Sequence, residues 1–177
     1  GKPVEIVIFA NGALCMAISG KCYLSLDHYN ASANRGSCYQ LCRRPYHITD
    51  SETGIELEVD NEYIMSPKDL CTISFIDKIA RSGVSVLKIE GRGRSPEYVK
   101  TVVECYREAV DSFYNGTYSP PKVEAWMKRI STVYNRGFWD RYYLGRKMGE
   151  WAEKHGSVAT ESKTYNGKIT TYSTRLK

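Results

Sequence analysis

Long apolar runs are missing from this chain. Runs such as Ile6 to Ala10 fall far short of the roughly 20 residues that a membrane-spanning helix needs, which excludes a helical membrane protein. Histidine is scarce: His28, His47 and His155 are the three copies, and no His-Glu-x-x-His motif exists. There is no Gly-x-Ser-x-Gly elbow either, so the common metallo- and serine-hydrolase signatures are absent. No cysteine pair has the Cys-x-x-Cys spacing of zinc knuckles, which weakens a zinc reading. No internal repeat is evident. Gly1-Lys2-Pro3 runs into a strand-like stretch without an h-region or cleavage site, so no secretory signal is expected there.

What is present suits a folded domain. The chain has 177 residues, 42% hydrophobic and 25% charged, enough for one sizeable core and too ordered a composition for disorder. The net charge of +5 is uneven. Residues 1–120 hold 13 Lys/Arg against 15 Asp/Glu, and residues 121–177 hold 12 against 5. Interleaved with that basic excess are Trp126, Tyr134, Phe138, Trp139, Tyr142, Tyr143 and Trp151, a mixture expected of an RNA-binding face. Aromatics buried beneath an ordinary solvated surface would give the same pattern.

Val4 to Ala10 reads as a buried strand closed by Asn11-Gly12. Residues 15–62 show no helical period, and so long an irregular connection is uncommon unless functional. Ser66 with Pro67 and Asp69 forms an N-cap pattern, predicting a helix whose apolar face is Leu70, Ile73, Ile76 and Ala80, ending at Gly83. Val84 to Glu90 is a second strand. Ser95-Pro96 caps another helix, striped by Val99, Val102, Val103, Tyr106, Val110 and Phe113. This alternation is the grammar of an α/β sheet or barrel. Pro120-Pro121 marks a boundary. A basic, aromatic, partly helical extension follows it, with a helix expected over about Leu144 to Lys154 and a strand over Lys168 to Ser173.

Two groups could carry chemistry. Cys15, Cys22, Cys38 and Cys42 crowd into 28 residues, and Cys71 falls in the first turns of the expected Ser66 helix, where the helix dipole would favour a thiolate. Soft thiolates from separate loops suit an iron–sulfur cluster, whose ligand spacing is permissive. The alternative is a set of buried apolar cysteines. Cys105 lies off its helix's expected stripe and reads as incidental. The second group is Lys88-Ile89-Glu90-Gly91-Arg92-Gly93-Arg94, a strand end and turn feeding a capped helix, where amides and arginines could receive a carboxylate or phosphate. A tight turn with solvated arginines is the plainer alternative.

These motifs form a resemblance. Gly12-Ala13-Leu14-Cys15, Ser19 to Ser25, Asn34-Arg35-Gly36-Ser37-Cys38 with Cys42-Arg43, Ser66 to Cys71 and Lys88 to Arg92 follow one another as in the collagenase-like peptidases of family U32. Asn135-Arg136-Gly137-Phe138 extends the match. The resemblance implies a modified TIM barrel: residues 1–120 as its last two β/α units, with the insertion at 11–65, residues 121–159 as an extension, and 160–177 as the start of a small β domain. It implies a 4Fe-4S cluster on residues similar to Cys15, Cys22, Cys38 and Cys71, with Cys42 as the competing ligand. Among relatives the chain looks most like the prephenate-dependent hydroxylases of tRNA wobble uridine, with Lys88, Glu90 and Arg92 holding substrate. At Arg141 the pattern leads one to expect a small residue such as Gly.

The expectations are therefore a cytoplasmic RNA hydroxylase with tRNA as partner, prephenate as a possible co-substrate, and an upstream barrel segment required. The rivals are a peptidase, a quinone-precursor hydroxylase, and a non-catalytic zinc module that dimerises through Cys and His.

Overall fold

β-branched and aromatic residues extend Val7–Gly12 as β1, and Val86–Ile89 forms β5 beside it, parallel, with Val7 opposite Val86 and Phe9 opposite Lys88. A computed structural model describes residues 4–17, 21–57, 61–145, 149–164 and 166–167. Between these strands lie α1 (Leu24–Tyr29), 3-10 turns at Ala33–Arg35 and Leu41–Arg43, and a short hairpin of β2 (Ile48–Thr49) and β3 (Glu56–Leu57). Next come β4 (Asp69–Cys71), a 3-10 turn and α2 (Ile76–Arg81). The chain closes with α3 (Pro96–Tyr114), α4 (Pro120–Ser131) and β6 (Phe138–Trp139).

The main sheet is mixed, in the order β5-β1-β4-β6. β4 pairs antiparallel with the end of β1, Asn11 opposite Cys71, and parallel with β6, Asp69 opposite Phe138. The core lies between this sheet and α2, α3 and α4, centred on Ala10, Ile73, Ile76, Tyr98, Val102, Tyr106, Trp126 and Ile130. The Tyr106 hydroxyl ties it together, donating to Ala10 O and accepting from Thr72 N, each at 2.8 Å. Ser95 caps α3 by accepting from Tyr98 N, with Pro96 at the first helical position.

The α/β class stands, and three local readings change. Residues 69–71 are a strand, so the helix after Ser66 begins only at Ile76, behind a 3-10 turn at Ile73–Phe75. Lys68 N bonds to Glu150 O and Asp69 N to Gly137 O, partners that a local capping pattern cannot announce. The buried face of α3 carries Tyr98, Val102, Cys105, Tyr106 and Ala109, which puts Cys105 in the core and leaves Val99 and Val103 exposed. The helical part of the extension is α4. Described residues in 144–154 carry turns and a bridge from Trp151 to Pro67 instead of the expected helix. The strand expected at 168–173 lies outside the described residues. Among the described residues, no helix is long and apolar enough to cross a membrane.

Candidate functional site

The irregular segment after β1 is held by hydrogen bonds and ring contacts of its own. Ser25 is buried and accepts from Tyr39 N at 3.0 Å, the Tyr29 and Tyr39 rings stack at 4.8 Å, and the Tyr46 hydroxyl donates to Leu41 O. This arrangement walls a cavity of about 490 Å³. Cys15, Cys22, Cys38 and Cys42 all line it, with Met16, Met65 and Arg92. Cys15 and Cys38 are exposed, while Cys22 and Cys42 are half-buried. Burial pushes the Cys42 thiol up, the adjacent Arg43 guanidinium opposes that, and Cys38, Cys15 and Cys22 add to the rise. Four thiols thus share one electrostatic neighbourhood. Among the described residues, no three His, Cys, Asp or Glu side chains close on a single-ion site.

Cys71 is elsewhere. It is buried in β4, 3.8 Å from both the Tyr106 hydroxyl and Met127 Sδ, and does not line the cavity. Burial raises its thiol, with hydrogen bonds from Ile73 N and Tyr106 opposing, and no helix N-terminus supports it. Burial likewise lifts Cys105 to about 11.

The Lys88–Arg94 group is divided. Arg92 reaches the cysteine cavity, and its backbone N–H donates to Glu90 Oε1 at 2.9 Å. The Lys88 ammonium sits 4.6 Å above the Phe9 ring. Arg94 turns back to Asp69, 3.6 Å from Oδ2, and lies 3.9 Å above the Tyr134 ring. Gly12 lets the two strand ends approach: its φ is +133°, and a Cβ there would stand 2.6 Å from Glu90 Cβ.

A polar cluster unforeseen in the sequence backs the cavity. Arg43 is buried and donates to Leu14 O and Pro67 O at 2.6 Å and Ser66 Oγ at 3.0 Å, pinning the cysteine loop to β1 and β4. Burial lowers its pKa, and the facing Arg136 lowers it further. Arg136 reaches Asp69 Oδ1 and Gln40 Oε1. The only sequence signal was the position of Arg43 and Arg136 inside the quoted motifs.

Most of the aromatics of the basic third serve packing. Trp126 and Trp139 are buried, Trp126 donating its Nε1–H to Glu108, whereas Tyr142 and Tyr143 are exposed. Trp139, Tyr142 and Trp151 with Arg141 line a hollow of about 260 Å³ that also touches Cys15 and Met16. Arg141 has φ +56°, the left-handed conformation that suits glycine, which is why a small residue is expected there.

Comparison with known proteins fits this geometry to a family. The family profile named peptidase family U32 matches residues 2–153. The chain belongs to that family. It is 57% identical over 176 residues to a protein named collagenase from Porphyromonas gingivalis, covering 99% of this chain and 42% of that protein. It is 36% identical over 161 residues to tRNA hydroxylation protein P1 of Bacillus subtilis, covering 85% of this chain and 38% of that protein. It is also 37% identical over 107 residues to a 23S rRNA 5-hydroxycytidine synthase of Escherichia coli, covering 60% and 16%. This U32 chain spans less than half the length of these relatives. No solved structure gives a significant match.

Proposed function

We propose that the chain carries the metal-binding part of an iron–sulfur-dependent hydroxylase of tRNA uridine, as the C-terminal part of a modified (βα)8 barrel. The observation that carries this reading is that four cysteines from separate loop positions line one cavity, with Arg92 beside them. Thiolates are the donor chemistry of iron–sulfur clusters. Cys15, Cys22 and Cys38 would hold the cluster, and we take Cys42, which lines the same cavity, as the fourth ligand in place of Cys71. When bound, such a cluster supplies redox or Lewis-acid chemistry.

The chain's own residues do the rest. Arg92 offers its guanidinium to a carboxylate such as that of prephenate, and the Glu90 carboxylate holds the Arg92 backbone in place. The hollow of Trp139, Tyr142 and Trp151 gives an unstacked base a surface beside Cys15. Relatives named for tRNA hydroxylation and rRNA hydroxycytidine synthesis support an RNA substrate.

The test is iron and acid-labile sulfide on anaerobically purified full-length protein. About four irons per chain are expected, lost in Cys15→Ser, Cys38→Ser and Cys42→Ser and kept in Cys71→Ser. Loss of hydroxylated uridine from tRNA in the same variants completes it. An iron-free wild-type protein would sink the reading.

The relative named collagenase favours a second reading, a peptidase. That activity needs a nucleophile and a base in reach. His28 pairs with Asp27 and does not line the cavity, so Cys15 has no histidine partner there. Gelatin hydrolysis that persists without iron would favour this reading, and iron-dependent activity on a quinone precursor without RNA affinity would point to the other hydroxylase class.

A further inference from the structure

Behind the cysteine cavity three guanidiniums share one acid. Arg43 and Arg136 are buried, the Arg94 side chain is nearly so, and the carboxylate among them is Asp69. Arg43 spends its donors on neutral acceptors, two carbonyls and the Ser66 hydroxyl. Arg136 stands 3.4 Å from Asp69 Oδ1 and 3.3 Å from Gln40 Oε1, and Arg94 stands 3.6 Å from Asp69 Oδ2. Charge-assisted bonds at full strength are shorter, about 2.7–2.9 Å. The Tyr134 ring holds both arginines, 3.9 Å from Arg94 and 5.1 Å from Arg136, which positions their charge without neutralising it. Among the described residues of this cluster, three guanidiniums stand against the one Asp69 carboxylate, an imbalance that is costly where it is buried.

A pocket of about 300 Å³ opens on this cluster. Arg43, Arg136 and Ser66 form its floor and Tyr39, Arg44 and His155 its rim, with no Asp or Glu among its described lining residues. We propose that this pocket is a binding site for a phosphate group, separate from the cysteine cavity. A phosphate ester carries a charge of about −1 to −2, and its several oxygens can accept from the Arg136 and Arg44 guanidiniums and from neighbouring hydroxyls together, with Arg43 adding its charge. The space exceeds what one small ion fills, so the phosphate arrives as part of a larger molecule. Resting on the hydroxylase reading, that molecule is the sugar–phosphate backbone of the RNA. Gln40 lines both this pocket and the cysteine cavity, at φ +53°, so a strand anchored here lies one residue's thickness from the thiols.

The experiment uses full-length protein in buffer free of phosphate and sulfate, titrated with inorganic phosphate by calorimetry and with a tRNA transcript by fluorescence anisotropy. Arg44→Gln and His155→Gln change exposed rim residues and leave the fold intact. Arg136→Lys keeps the buried charge but removes the fork, and Lys100→Gln on the outer face of α3 is the control. Phosphate affinity should fall about tenfold in Arg136→Lys and about threefold in each rim variant, and stay constant in the control. In the tRNA arm, the slope of log K against log salt should shrink by about 0.7–0.9 in Arg44→Gln. Phosphate binding lost while tRNA binding is unchanged keeps the site and assigns it to a free phosphate compound. Absence of any tRNA binding removes the RNA reading and leaves the phosphate arm to decide. Wild-type phosphate affinity in all three pocket variants, or none in the wild type, overturns the site.

Discussion

Arg43 and Tyr106 each join segments that the chain order keeps apart. The guanidinium of Arg43 serves two carbonyls and a hydroxyl on two other segments, all buried. Arg43→Met should cost about 3 kcal/mol in urea unfolding of the full-length protein, because the acceptors stay buried and unpaired. Tyr106→Phe should cost about 1–3 kcal/mol for the same reason, losing the bridge from Ala10 O to Thr72 N. Neither role was legible in the sequence, since nothing local distinguishes a buried arginine from a solvated one. Arg141 was half legible: the family pattern called for a small residue, and the φ of +56° supplies the reason. Arg141→Gly should therefore leave stability unchanged or raise it by up to about 1 kcal/mol, measured as a higher melting temperature.

At the level of elements, length and periodicity decided what could be read. β1, β5 and α3 were visible because runs of β-branched residues and a capped, periodic stripe carry their own signal. β4 was not, because three residues buried on both faces have no period, and Ser66-Pro67-Lys68-Asp69 imitates a helix start. The buried stripe of α3 lies one position from the expected one, since Val99 and Val103 are apolar yet exposed, Val99 resting against the Gly91 turn. The cavity's four cysteines were legible as a group in the sequence, but that Cys71 sits in the buried β4 and not among them depended on which loop folds back. Helices α3 and α4 are clamped by Glu108, which accepts from Arg129 and from Trp126 Nε1. Those bonds, Arg129 first, hold the Glu108 carboxyl below its ordinary value, against the opposing effect of burial. A depressed folded-state pKa gives stability that is present above the unfolded value and lost as pH falls through the folded one. The acid limb of the stability curve, below about pH 4.5, should accordingly flatten in Glu108→Gln.

Among the described residues of the whole molecule, large apolar side chains are exposed on the sheet and on α3. Val7 is 56% and Phe9 41% exposed on β1, Val86 is 43% exposed on the edge strand β5, and Val99 and Val103 lie on α3. Apolar side chains left in water on an edge strand and a helix face favour association. The 177 residues alone should elute above their 20.1 kDa mass and bind a hydrophobic dye. Val7→Thr with Val86→Thr and Val99→Thr should reduce both, and a dye-free monomer from the start would contradict this. A different consequence follows from the 3-10 turn at Leu41–Arg43. Its neighbouring residues Cys42 and Arg43 face opposite sides of one wall, Cys42 the thiol cavity and Arg43 the arginine-lined pocket proposed to take phosphate. Three residues fixed at both ends leave no slack, so whatever draws Cys42 inward must carry Arg43 with it. If the proposed cluster and phosphate do occupy the two sides, any coupling between them is reciprocal: the factor by which iron loading changes phosphate affinity equals the factor by which phosphate changes iron retention.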